Sequence, residues 1–215
     1  MHDETLDRTT TGKGKVSAHT LAEIREMRLK DGLGMPTDHT IPTFEEMMRV
    51  AKGKIVVDID KGYKYFNDVV KMIEKLGMYD QCIVNVIGQV CYNNFIKAHP
   101  SVSDSLLLMP IVSLNKPDAQ AVAASYAGKR PLIYQPVFDS DTLLQNPETF
   151  RQQNGGVWYN SLWPHLSAGH HDDKAVEENK PDETWGWLIK HGATIIQTDR
   201  PAALLKYLKQ KGLHP

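Results

Sequence analysis

Two cysteines in 215 residues are too few for a disulfide framework, so this chain must take its stability from an apolar core. Cys82 lies in an apolar, strand-like run and reads as a buried free thiol. No stretch approaches the roughly 20 apolar residues of a membrane-spanning helix, and none has the shape of a secretory leader. Surplus charge is missing too. The 25 Lys and Arg against 26 Asp and Glu leave a net charge of −1, which gives nucleic acid or an anionic membrane little to hold. Low-complexity tracts and internal repeats are absent. At 41% hydrophobic residues the chain buries a sizeable core, which excludes disorder, and its length fits one domain. The compartment and the oligomeric state stay open.

What is present changes texture along the chain. Residues 1–40 are polar and loop-rich, with a short helical pattern near Thr20–Lys30. From Pro42 onward short apolar runs alternate with helical patterns. The runs are Lys54–Asp60, Cys82–Ile87, Leu106–Ile111, Leu132–Phe138, Val157–Leu162 and Ala193–Thr198. Each is bounded by Gly, Pro or polar residues, as buried parallel strands are. Thr43-Phe44-Glu45-Glu46 reads as a capping box opening a helix that Gly53 ends. Phe66, Val69, Val70, Ile73 and Leu76 keep helical spacing up to Gly77. Pro117–Ala127, Asp141–Gln152, Glu183–His191 and Pro201–Gln210 take the same role. Six strand–helix units in succession predict an α/β fold with a parallel sheet wound one way, two units short of a (β/α)8 barrel.

In such a fold reactive groups gather at the C-terminal ends of strands. The run Lys54–Lys61 ends in Asp58, Asp60 and Lys61. The two carboxylates share a face by the period of two, and beside an ammonium they suit a divalent cation with a phosphate. An Asp capping the next helix or pairing with Lys61 is the competing reading. Trp158 and Asn160 share a face of the fifth run. They suit the wall of a polar ligand pocket, or a core Trp. His165, His170, His171, Asp172 and Asp173 are metal-ligating types, but they match no usual zinc spacing, and Gly169 implies a turn. That loop reads better as one shaping the mouth of a site. Asp199 reads as the N-cap of the last helix. Gln197 and Arg200 could meet an anion, with a structural role as the stronger reading. His2 and Asp3 pair an imidazole with a carboxylate that orients it and raises its basicity. Acid–base work needs a rigid setting on both sides, so the pair predicts that the chain continues a longer protein.

Together these segments resemble the glycerophosphodiester phosphodiesterase family, a branch of the phosphatidylinositol phospholipase C-like barrels. The matching pieces are His2–Thr10 with Gly12-Lys13-Gly14, then Ile41–Glu46, Ile55–Lys61, Val157–Asn160 and Ile195–Pro201. The resemblance implies a (β/α)8 TIM-barrel type lacking its first two strands. Residues 1–40 would be an insertion segment of the barrel, and residues 41–215 its remaining six β/α units. The family's first strand carries His-Arg-Gly and its second Glu-x-Asp, and neither motif is in this chain.

The resemblance further implies metal-dependent hydrolysis of glycerophosphodiesters to glycerol 3-phosphate and an alcohol, within lipid and glycerol metabolism. His2 would be one of two acid–base histidines. Asp60 would be one of three carboxylates on a divalent metal, Ca²⁺ or Mg²⁺. Lys61, Trp158 and Asn160 would bind substrate, Trp158 at the glycerol. Asp60 stands where the family more usually has Glu, and Lys61 follows it directly, where the family lysine commonly stands two positions on. The chain alone would then be inactive. The alternative is a non-catalytic remnant that binds a ligand or partner.

Overall fold

Six short apolar runs become six strands in one curled parallel sheet, a half-barrel in form. The structure is a computed structural model and describes residues 2–100, 102–129, 132–144 and 155–214. The strands are β3 (Val57–Ile59), β4 (Cys82–Val86), β5 (Leu107–Ser113), β6 (Leu132–Val137), β7 (Gly155–Asn160) and β8 (Ile195–Gln197). They lie side by side in sequence order, and every pairing is parallel. All six C-terminal ends therefore lie along one rim.

The period of two sorts the residues. On β4, Cys82, Val84 and Val86 pack in the main core with Phe66, Val69, Val70, Ile73 and Leu76 of α3 (Phe66–Leu76). Burying one such apolar side chain contributes about 1.5–3 kcal/mol. The other face of the sheet carries Asp58, Asn85, Gln135, Trp158, Asn160 and Gln197 at alternating positions. The sheet is thus apolar toward its helices and partly polar on the inside of the curl.

Local chemistry sets the helix ends. Thr43 and Glu46 form the capping box of α2 (Phe44–Ala51). Gly77, at φ 61°, closes α3 in the left-handed conformation. Beyond these lie α4 (Tyr92–Ala98), α5 (Ala119–Ser125), α6 (Asp172–Val176), α7 (Trp185–Lys190) and α8 (Pro201–Gln210).

Several expectations change. The helical pattern at Thr20–Lys30 holds only for α1 (Leu21–Glu26), which opens on a second capping box, Thr20 with Glu23. Met27 is extended at ψ 152°, and the chain runs into a small antiparallel hairpin of β1 (Arg28–Lys30) and β2 (Pro36–Thr40). The Tyr92–Ala98 helix is unanticipated, because seven residues opening on Tyr-Asn-Asn show too little periodicity. Asp141–Leu143 forms a 3₁₀ turn. The rest of the helix expected over Asp141–Gln152 lies, from residue 145 on, outside the described residues. Asp199 is not the N-cap of α8. Arg200 holds that position, and its backbone N–H is met by the Thr198 hydroxyl at 2.9 Å. The Asp199 backbone N–H instead donates to Asp172.

Residues 2–40 dock on the first strand–helix unit. Leu6 and Thr10 are fully buried. A rung between Thr5 and Lys15 ties the segment's start to its middle. Arg25 reaches Glu46 on α2 at 2.6 Å.

Candidate active site

His2 sits at the rim of the sheet, at the C-terminal end of β3. Its Nδ1 lies 2.9 Å from Asp3 Oδ1. Asp3 also accepts two hydrogen bonds from Arg8, at 2.6 and 2.9 Å. The Arg8 guanidinium first, and His2 second, hold the Asp3 carboxyl well below the usual carboxylate range. A carboxylate so fixed accepts from an Nδ1–H, which leaves Nε2 as the basic nitrogen. That nitrogen points toward Asp60 Oδ2, 3.8 Å away. Arg8 clamps both Asp3 oxygens; it lies within the His2–Thr10 segment, but its spacing from Asp3 alone assigns it no role.

Lys61 belongs to the same group. Neighbouring strand residues face opposite ways, which on sequence separates Asp60 from Lys61. The strand, however, ends at Ile59, and Lys61 adopts the left-handed conformation (φ 58°, ψ 12°). The turn brings its ammonium to the carbonyl of His2 at 2.6 Å. Gly62 follows because a Cβ there would come within 2.8 Å of Ile59 Cγ2. Asp60, Lys61 and His2 therefore converge. His2 and Lys61 border an open cleft of about 470 Å³, whose other walls include Glu4, Lys15, Lys64 and Tyr65.

Asp58 is half-buried two residues before Asp60, and its Oδ1 has no hydrogen-bond partner among the described residues. Burial, then the nearby charge of Asp60, pushes its carboxyl up to about 6. Asn85, on the adjoining strand and the same face, also has a buried oxygen without a partner among the described residues.

Trp158 and Asn160 form a second group on β7. The Trp158 indole N–H and the Asn160 amide both donate to Gln197 Oε1, at 3.1 and 2.9 Å. Gln197 is thus the acceptor that aligns them, the structural role expected of it. Asn160 also accepts the backbone N–H of Leu162. The groups on β3 and β7 share the rim and are separated by β4, β5 and β6.

Of the histidine-rich stretch, His170 and Asp172 turn inward, while His165 and Asp173 stay exposed. His170 is buried, with its nitrogens at Glu183 O (2.7 Å) and Asp141 Oδ1 (2.9 Å), and its ring stacks on Trp187 at 3.9 Å. The Asp172 carboxylate, 3% exposed, accepts from Ser161, Trp185, Thr198 and the Asp199 N–H at 2.7–2.9 Å. Sequence spacing does not show this hub. Arg200 pairs with Asp173 and Glu177. His165 stands in a 3₁₀ turn, and His171 precedes α6.

Calcium wants six to eight oxygen ligands and magnesium an octahedron. Among the described residues no group of three or more His, Cys, Asp or Glu is placed to hold a metal ion. Asp60 and Asp58 supply two carboxylates at most. The described residues alone do not fit a resident divalent ion.

Comparison with known proteins gives two family matches. Residues 1–94 match the glycerophosphoryl diester phosphodiesterase family, and residues 108–208 match a domain of unknown function. No curated protein sequence matches the chain. Among solved structures it is similar to a glycerophosphoryl diester phosphodiesterase from Parabacteroides distasonis. The TM-score is 0.75 at 23% identity, over 100% of this chain and 71% of that one. It is also similar to a glycerophosphodiester phosphodiesterase from Agrobacterium tumefaciens, with TM-score 0.59 and 18% identity over 94% of this chain and 78% of that one. At these identities the likeness establishes the fold.

Proposed function

Because residues 1–94 match the glycerophosphoryl diester phosphodiesterase family, we propose that this chain carries part of the active site of a glycerophosphodiester phosphodiesterase. It hydrolyses a glycerophosphodiester to glycerol 3-phosphate and an alcohol. Residues 1–40 are the insertion of a (β/α)8 barrel and residues 41–215 its last six β/α units. The observation that carries the reading is the Asp3–His2 dyad, whose free nitrogen faces Asp60 beside Lys61.

In this reading His2 moves the proton. Asp3 holds Nδ1, so Nε2 takes a proton from the attacking hydroxyl or gives one to the departing alcohol. An oxygen–phosphorus bond forms to water or to the glycerol hydroxyl, and the bond to the head-group alcohol breaks. The Lys61 ammonium offsets phosphate charge. Trp158 and Asn160, aligned by Gln197, bind the glycerol portion. The reading includes a divalent ion, Ca²⁺ or Mg²⁺, with Asp60 as one ligand. Its other ligands lie beyond the described residues, and no step assigned to this chain passes through it. The incomplete donor set favours one alternative, a non-catalytic domain that binds a ligand or partner.

The test is release of glycerol 3-phosphate from glycerophosphocholine, with and without chelator. Two proteins are compared, the 215-residue chain and a form extended at its N-terminus by the family's His-Arg-Gly and Glu-x-Asp strands. The chain alone is expected to show negligible turnover and the extended form chelator-sensitive turnover. In the extended form His2→Ala costs about 10²–10⁴-fold, and Asp60→Ala removes the response to added metal. Wild-type rates in either variant would show that the site is misassigned.

A further inference from the structure

The cleft beside His2 holds more positive charge than one phosphodiester uses. Lys15, Lys61 and Lys64 line it together with the carboxylates of Asp3 and Glu4. Both carboxylates are engaged, Asp3 by Arg8 and the His2 ring, Glu4 by Lys64 at 3.3 Å. Lys61 lies at the His2 end, bonded to the His2 carbonyl. Lys15 is exposed and makes no ion pair among the described residues.

Two walls bring the lysines across from one another. One is the rung on which Lys15 sits opposite Thr5, closed by the Val16 N–H to the Glu4 carbonyl at 2.9 Å. The other is the 3₁₀ turn Gly62–Tyr65, which starts beside Lys61 and carries Lys64. The Lys64 N–H closes the turn on the Lys61 carbonyl at 3.1 Å, and both residues line the cleft. The Glu4–Lys64 pair spans the walls. It is solvent-exposed on both sides, so it holds Lys64 weakly, and that ammonium can turn to a ligand at small cost. A cationic head group would need a free carboxylate in this cleft. Of the two carboxylates that line the cleft, Asp3 is held by Arg8 and His2, and Glu4 stands beside Lys64, whose charge offsets it.

We infer that the cleft selects glycerophosphodiesters whose leaving alcohol is itself an anion, with the second negative charge between Lys15 and Lys64. This rests on the reading of the site as a glycerophosphodiesterase site. Lys61 serves the scissile phosphate. Lys15 and Lys64 determine specificity and take no part in the chemistry. A choline or ethanolamine head group would meet two ammonium groups of its own sign.

The test is an NMR titration of the ¹⁵N-labelled 215-residue chain at low ionic strength, following the amides of Glu4, Val16, Ser17 and Lys64. The probes are glycerophosphocholine, glycerophosphoinositol 4-phosphate and inorganic phosphate. The phosphorylated head group is expected to bind roughly tenfold more tightly than the choline ester. Lys15→Gln and Lys64→Gln should each remove most of that preference without weakening glycerophosphocholine binding. Salt at about 0.3 M should collapse it, because the charges are exposed. Equal affinity for the two diesters at the same amides would overturn the inference and leave the site reading standing. So would a preference that survives in the double variant. Inorganic phosphate binding as tightly as the phosphorylated diester would reduce the cleft to a bare anion site and overturn it too. If neither diester moves these amides, the cleft takes no head group and the inference is overturned, while turnover of the extended form still decides the site reading.

Discussion

The ammonium of Lys61 donates to the backbone carbonyl of His2 at 2.6 Å across 59 positions of sequence. This bond fastens the imidazole to the end of β3, and it exists because Lys61 is left-handed. A left-handed non-glycine residue costs about 1–2 kcal/mol. Lys61→Gly relieves that cost and loses the bond, whereas Lys61→Ala keeps the cost and also loses the bond. Urea unfolding should find the Gly variant about 1 kcal/mol more stable than the Ala variant. Hydrogen exchange should show faster exchange over residues 3–6 in both. Equal stability of the two would mean that the turn relaxes.

Divalent metal should bind this chain weakly. Asp60 and Asp58 leave most of a calcium ion's coordination to water. Calorimetry on the 215-residue chain should find no sub-micromolar Ca²⁺ site. Asp60→Ala should abolish what binding there is. A sub-micromolar constant would show that other oxygens complete the site.

Glu46 links acid sensitivity to the docking of residues 2–40. Its carboxyl is lowered to about 2, first by the hydrogen bond from Arg25 and then by those from Thr43. With the folded value below the ordinary 4.5, its contribution to stability is present above about pH 4.5 and fades as pH falls through about 2. Glu46→Gln should flatten the stability–pH curve in that window and lower stability at pH 7. Thr43→Ala should cost about 1 kcal/mol at neutral pH through the lost cap, and less in acid, because the Thr43 hydroxyl also helps hold the Glu46 carboxyl down. Parallel acid limbs for wild type and Glu46→Gln would assign the acid sensitivity elsewhere.

Asp172 gives the sharpest stability prediction. Removing its carboxylate strands the Thr198 hydroxyl, the Trp185 indole N–H and the Asp199 amide, while the Ser161 hydroxyl keeps the Gln197 carbonyl at 2.7 Å. A buried donor left unpaired costs about 1–3 kcal/mol. Asp172→Ala should therefore destabilise by about 3–5 kcal/mol, allowing for partial relaxation. Asp172→Asn should be nearly as damaging, because its NH₂ would face donors. Thermal melts of the two variants check this, and a near-neutral Asn variant would refute it.

The parallel sheet was legible because its strands are short apolar runs cut by turn residues. The capping box at Thr43 and the glycine end at Gly77 were legible because they follow local rules. The hairpin β1–β2 was not, since Pro36–Thr40 is mostly exposed and carries no apolar alternation. At the candidate site, the convergence of His2 and Asp60 followed from the family resemblance rather than from spacing. The place of Lys61 beside them, the clamp of Arg8 on Asp3 and the Asp172 hub depend on one backbone torsion or on long-range contacts. A linear pattern does not encode these.

Both cysteines are free, so among the described residues no covalent cross-link ties one segment to another. Asp172 does part of that work without sulfur. Its two oxygens join positions 11 residues back and 13, 26 and 27 residues ahead, closing loops of the size a disulfide would close. Unlike a disulfide, this staple has no redox state. The rim at β7 and β8, with Trp158, Asn160 and Gln197, keeps its shape equally in reducing and oxidising surroundings.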